Sequence, residues 1–261
     1  MVLKALKKLG IGFESGRETF DDSLPTLIMI HGAGGCSRNW QYQTAPLKKS
    51  LNTLALDLPG HGKTEGPAMD RIEKYGHWLG NLIEAQFSGP VYLMGHSMGG
   101  AIAQETALSH KDWVEGLILA ATGPILRVAP FILEGLQDRF HEAIDLLSGF
   151  LYTDGADQGL IKETAKIIKE QGGKTVFDDF SACNLFDRRN DISEIGVPCL
   201  IICGEEDKMT PPSLSKKIQE RIVESRLVVL PSAGHMVMME TPEEFNRCIL
   251  DFLEEISPES K

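Results

Sequence analysis

The chain alternates between short, nearly continuous apolar runs and longer stretches in which apolar positions recur every three or four residues. The runs are Leu24 to His31, Thr53 to Leu58, Val91 to His96, Leu117 to Ala121, Cys199 to Cys203 and Leu227 to Leu230. Runs of this length without a polar alternate suit parallel strands covered on both faces, so they predict an open sheet between two layers of helix. Helix-compatible stretches follow them at 71–87, 100–110 and 242–256; in the last, Phe245, Ile249, Phe252, Leu253 and Ile256 step by three and four. Thr241 is a favourable N-cap for that helix and Pro242 a favourable first residue. The class predicted is α/β, with a doubly wound, mostly parallel sheet.

From about 125 to 186 the strand pattern stops. Ile132, Leu133, Leu136, Phe140, Ile144, Leu147 and Leu151 recur at helical spacing, and Ile161, Ala165 and Ile168 do so again. Such periodicity signals burial of helix faces. As a block between two strands it predicts an inserted helical lid, dividing the chain into a core of 1–122 and 190–261 and a lid of 123–189.

Chemistry enters at Gly95-His96-Ser97-Met98-Gly99. A G-x-S-x-G pattern is weak alone, but here an apolar strand precedes it and a helix-like stretch follows. The two glycines let the chain turn sharply without a Cβ clash, which lifts the Ser97 hydroxyl clear of the sheet. A serine hydroxyl is a poor nucleophile and needs a base, itself oriented by a third group. His235 follows the strand ending at Leu230 through Pro231 to Gly234, at the carboxyl edge where open α/β sheets place their ligands. His31 and His96 adjoin the motifs, with His96 expected to point away from the nucleophile; His61, His77, His110 and His141 lack a matching context. For the carboxylate, Asp207 lies past the strand ending at Cys203, with Glu205 and Glu206 beside it and Asp57 at another strand end.

Four segments in order, His31-Gly32-Ala33-Gly34-Gly35, Asp57-Leu58-Pro59-Gly60-His61-Gly62, the Ser97 turn, and the Asp207 and His235 loops, make the chain resemble the α/β-hydrolase superfamily over about 24 to 256. The resemblance selects Asp207 as the partner that fixes the tautomer of His235, and the amides of Ala33 and Met98 as oxyanion donors. It implies a lid over the site, with Gly32, Met236, Phe140 and Leu147 contacting substrate, and it requires neither metal nor cofactor. The activity implied is hydrolysis of small carboxylic esters through an acyl-enzyme on Ser97. A carbon-carbon bond hydrolase, an enol-lactonase or a perhydrolase would use the same triad, and a non-catalytic ligand receptor would keep the fold alone. Haloalkane dehalogenases and epoxide hydrolases resemble the layout but attack with an aspartate where this chain has Ser97, and the lid offers one tyrosine, Tyr152. The proline that proline iminopeptidases usually carry in the loop 31–35 is absent. No G-x-G-x-x-G or Walker pattern supports reading that loop as a phosphate cradle.

Composition sets the outer bounds. With 261 residues, 42% hydrophobic and 24% charged, the chain is that of an ordinary globular protein. Its net charge of −11 argues against nucleic acid or an anionic membrane as a partner and leaves a small-molecule ester. The first ten residues carry Lys4, Lys7 and Lys8 without the apolar centre of a secretory signal, which gives an expectation of a cytoplasmic protein. Five cysteines without a C-x-x-C pair suggest neither a disulfide framework nor a zinc site. Trp40, Trp78 and Trp113 are expected as core anchors, and Met98, Met236 and Met238 near the site.

Overall fold

A computed structural model describes residues 1–256. A short helix, α1 (Val2–Lys8), leads into strands β1 (Phe13–Ser15), β2 (Thr26–Ile30) and β3 (Asn52–Leu56), with the one-turn helix α2 (Gln41–Thr44) between the last two. Then α3 (Ile72–Gln86), β4 (Val91–His96), α4 (Met98–Ser109) and β5 (Val114–Ala120) alternate. Four helices follow without a strand: α5 (Pro130–Asp138), α6 (Phe140–Phe150), α7 (Gln158–Gln171) and α8 (Gly173–Leu185). The alternation resumes with β6 (Cys199–Gly204), α9 (Pro212–Gln219), β7 (Ser225–Leu230), α10 (Val237–Glu240) and α11 (Pro242–Ile256).

The seven strands lie in the order β1-β3-β2-β4-β5-β6-β7; β1 runs antiparallel to β3 and every other pair is parallel. Alternate residues feed two cores. Ile28 and Ile30 join Leu93, Leu117 and Ile201 in one, while Leu27 and Met29 join Met94, Ile118 and Ile202 in the other. Both faces are covered, so the inner strands carry no polar alternate. The second core continues into the four inserted helices through Leu136, Ile144, Leu147, Ile168 and Val176. They form the helical cap of the fold.

One local expectation needs correction, and two details add to the sequence reading. The antiparallel β1 is three residues long, too short to carry an alternating signal. The periodic stretch 132–151 is two helices, broken at Arg139 with φ −143° and ψ 54°. Thr241 does not cap α11 with its side chain: the hydroxyl donates to the Val237 carbonyl 3.0 Å away, closing α10 instead.

Candidate active site

The chain leaves β2 to one side of the sheet, returns through β3, and enters β4 on the other. The carboxyl ends of β2 and β4 therefore meet at the switch point of the sheet, where adjoining connections diverge and leave a crevice. Ser97 sits there, one residue beyond β4, with φ 53° and ψ −114°. That backbone region costs a non-glycine residue about 1–3 kcal/mol and is held only by surroundings that fix it. Here the Ser97 amide donates to Ala120 at 2.9 Å, and its carbonyl accepts from the Thr122 hydroxyl at 2.8 Å. Both flanking glycines are required by close backbone approach: a Cβ at Gly95 would run into the Gly99 carbonyl, and one at Gly99 into the Ile30 carbonyl.

Asp207 and His235 arrive from the loops after β6 and β7. The two carboxylate oxygens of Asp207 lie 3.1 and 2.9 Å from His235 Nδ1. Oδ1 also accepts from the amides of Met209 and Thr210, both at 2.8 Å, and Oδ2 from the Thr210 hydroxyl at 2.8 Å. Burial alone would raise the pKa of this carboxyl. The attraction of His235 and these hydrogen bonds outweigh it and hold the group below its ordinary range, so the carboxylate is stable as an anion.

Ser97 and His235 line one cavity of about 180 Å³, beneath cap residues Leu147, Leu151, Ile168 and Phe180. Gly32, Ala33 and Met236 line it too. Gly32 lies against the serine: a Cβ there would stand 3.3 Å from that of Ser97. Among the described residues, the amides of Ala33 and Met98 donate to no protein acceptor. They are free donors beside the serine.

Other expectations fall differently. Phe140 is not on the cavity wall; it begins α6, about 10 Å along the axis from Leu147, and its ring covers Gly173. Met238 is fully buried in the second core, as is Trp40, whereas Trp78 and Trp113 pack partly buried against the first. His96 does not point away. It lines the cavity, its ring centroid is 4.7 Å from that of His235, and its Nε2 lies 2.9 Å from the His235 carbonyl. Burial, with repulsion from His235, pulls His96 down to about 3, so it stays neutral and donates that hydrogen bond.

Two features escaped the sequence reading. Thr210 supports both members of the Asp207–His235 pair, its hydroxyl 3.2 Å from His235 Nδ1; the signal was an aspartate followed three positions later by threonine, a turn-forming spacing. His61 is buried and 2.8 Å from Asp179, a carboxylate 118 residues away on α8 that no local pattern announces. Among the described residues, no cluster of three or more His, Cys, Asp or Glu side chains is placed to hold a metal ion, and no helix is long and apolar enough to cross a membrane.

A strained serine at the switch point, a carboxylate-backed histidine across one cavity and a glycine-rich loop beside them are accompanied by a match to the family model of the alpha/beta hydrolases over residues 27–247. The chain belongs to the alpha/beta hydrolase family. Among its relatives, it is 29% identical over 257 residues to the 2-hydroxy-6-oxo-6-(2'-aminophenyl)hexa-2,4-dienoic acid hydrolase of Metapseudomonas resinovorans, covering 87% of this chain and 83% of that one. It is 27% identical over 253 residues to a pimeloyl-[acyl-carrier protein] methyl ester esterase of Neisseria meningitidis, covering 91% and 97%. In structure it superposes on a thermophilic esterase with a TM-score of 0.83 at 31% identity, over 95% of this chain and 94% of the other. The enol-lactonase of Burkholderia xenovorans shares the fold at a TM-score of 0.86 and 22% identity, over 94% and 96%. The chain is thus a hydrolase, and the relatives named here include a dienoic acid hydrolase and a methyl ester esterase.

Proposed function

We propose that this hydrolase cleaves small carboxylic esters through an acyl-enzyme on Ser97. The observation that carries the reading is the placement of Ser97 and the Asp207-backed His235 on the wall of one cavity. In the first half-reaction His235 Nε2 takes the hydroxyl proton as Ser97 Oγ attacks the ester carbonyl. The negative oxygen that forms is met by the amides of Ala33 and Met98, and Asp207 stays ionised against the imidazolium. Collapse expels the alcohol, which leaves with the proton from His235. Water then repeats the sequence on the acyl group, and the carboxylic acid departs with Ser97 restored.

Cavity size and lining support a small, uncharged ester. A cavity of about 150 Å³ holds a benzene ring, and this one, at about 180 Å³, is lined mainly by apolar side chains. Kinship with a dienoic acid hydrolase favours carbon-carbon cleavage as the second reading. That substrate carries a carboxylate, and the cavity's cation, Arg127, is already occupied: its guanidinium donates to the carbonyls of Leu126, Asn184 and Phe186 and to Asp187. The ester is therefore preferred. An enol-lactonase or perhydrolase would employ the same three side chains, and a receptor would bind ligand without turnover.

Assay with p-nitrophenyl acetate and butyrate tests the reading, with a ring-fission diketone as competitor. Multiple turnovers on the esters, abolished by Ser97→Ala, are expected. An ester left untouched while the diketone is cleaved would transfer the assignment to the second reading, and turnover surviving Ser97→Ala would end both.

A further inference from the structure

Asp179 belongs to the cap yet is bonded to the core's oxyanion loop. Its side chain is wholly buried, and its oxygens accept three hydrogen bonds: from the Gly34 amide at 2.8 Å, His61 Nε2 at 2.8 Å and the Tyr75 hydroxyl at 3.0 Å. Both ring nitrogens of His61 face acceptors, since Nδ1 lies 3.1 Å from the Pro59 carbonyl. An imidazole that donates at both nitrogens is protonated. Burial opposes that charge, but the Asp179 carboxylate overrides it and raises the affinity of His61 for its proton. The result is a buried ion pair, a weak device for stability alone because both charges must first be desolvated.

Asp179 holds the peptide unit after Ala33, and His31 and Gly35 hold the one before it. The Ala33 N–H shares a planar unit with the Gly32 carbonyl, which faces His31 Nδ1 at 2.9 Å and accepts from the Gly35 amide at 3.0 Å. His31 is neutral, drawn down to about 4 by burial and by charged His61 beside it, and its Nε2 accepts from the Leu58 amide, so Nδ1 donates. The next peptide unit presents the Gly34 N–H to Asp179. With both units fixed, the two backbone torsions of Ala33 are fixed, and so is the direction of its amide.

Given the ester-hydrolase reading, on which this rests, we propose that Asp179 is a positioning residue for the oxyanion hole: the cap supplies the carboxylate that aims the Ala33 amide, and transition-state stabilisation depends on α8 being seated. His61 acts with it by making the buried anion tenable. Ser97, His235 and Asp207, the proposed nucleophile, base and orienting carboxylate, are not in this network, so its loss leaves a distinct signature.

The test uses the full chain with Asp179→Asn and Asp179→Ala, read by kcat and KM on p-nitrophenyl acetate and by the inhibition constant of a trifluoromethyl ketone. That ketone adds to Ser97 and places an oxyanion where the tetrahedral intermediate has one. Losing a single oxyanion donor costs about 10²–10³ in kcat. A mis-aimed donor is expected to cost about 10-fold in the asparagine variant, whose amide oxygen can still accept from Gly34, and about 100-fold in the alanine variant. KM should change by less than about threefold, ketone affinity should fall in parallel with kcat, and the acid limb of the pH profile should not move. If the alanine variant does not fold, the isosteric asparagine decides. A folded variant with unaltered kcat and ketone affinity, or a loss confined to KM, overturns the proposal while leaving ester hydrolysis standing. An inactive wild type would remove both.

Discussion

Asp207→Asn is the substitution for which the structure forces a definite outcome. Asp207 Oδ1 accepts from two backbone amides, Met209 and Thr210, each at 2.8 Å. A carboxamide at this position must present its oxygen to both, because the alternative sets an NH₂ group against two N–H donors. Its nitrogen then occupies the place of Oδ2, now 2.9 Å from His235 Nδ1. An NH₂ there donates to Nδ1 and drives the ring proton to Nε2, the atom that has to receive the Ser97 proton. A histidine held in the wrong tautomer costs about 10⁴-fold in kcat, which is about 5.5 kcal/mol of barrier. Steady-state kinetics on p-nitrophenyl acetate should show that loss with KM nearly unchanged, and circular dichroism should show a native fold, since both backbone hydrogen bonds survive. A loss below about 10-fold in a folded variant would refute the argument, for it would mean that the tautomer of His235 does not limit turnover.

Three further outcomes follow. His31 and His96 are held down to about 4 and about 3 from 6.5, so between pH 6.5 and 5 the unfolded chain binds protons that the native state does not, and stability falls on acidification. About 2 kcal/mol per histidine should vanish over that interval in urea denaturation; a flat profile would contradict their neutral burial. His61 acts in the opposite direction, its raised affinity contributing stability that is complete below pH 6.5 and lost as the pH climbs through its folded-state value. Gly99→Ala drives a Cβ into the Ile30 and His31 carbonyls and should cost about 3 kcal/mol or more in urea unfolding, against which a change under about 0.5 kcal/mol would count.

Much of the site was legible because its parts are tied to strand ends. Six apolar runs fixed the parallel sheet, and the residues just beyond three of them, Ser97, Asp207 and His235, are those that the fold gathers at one edge. What stayed hidden depends on tertiary partners. β1 is three residues long and defined only by pairing with β3. Phe140 shares the helical phase of Ile144 and Leu147, yet periodicity reports a face and not the distance along it. His96 and His61 are ordinary motif histidines until the His235 carbonyl and Asp179 reach them from 139 and 118 residues away. Long-range hydrogen bonds of this kind leave no local pattern.

Ester cleavage by this site requires the hydroxyl at position 97 to be a nucleophile made reactive by His235. Intact-mass and peptide mapping after exposure to a fluorophosphonate ester test it most directly. One adduct per chain, on Ser97, with parallel loss of esterase activity and with labelling suppressed in His235→Ala, is the expected result. An unlabelled Ser97, or labelling that persists undiminished without the imidazole, would contradict it.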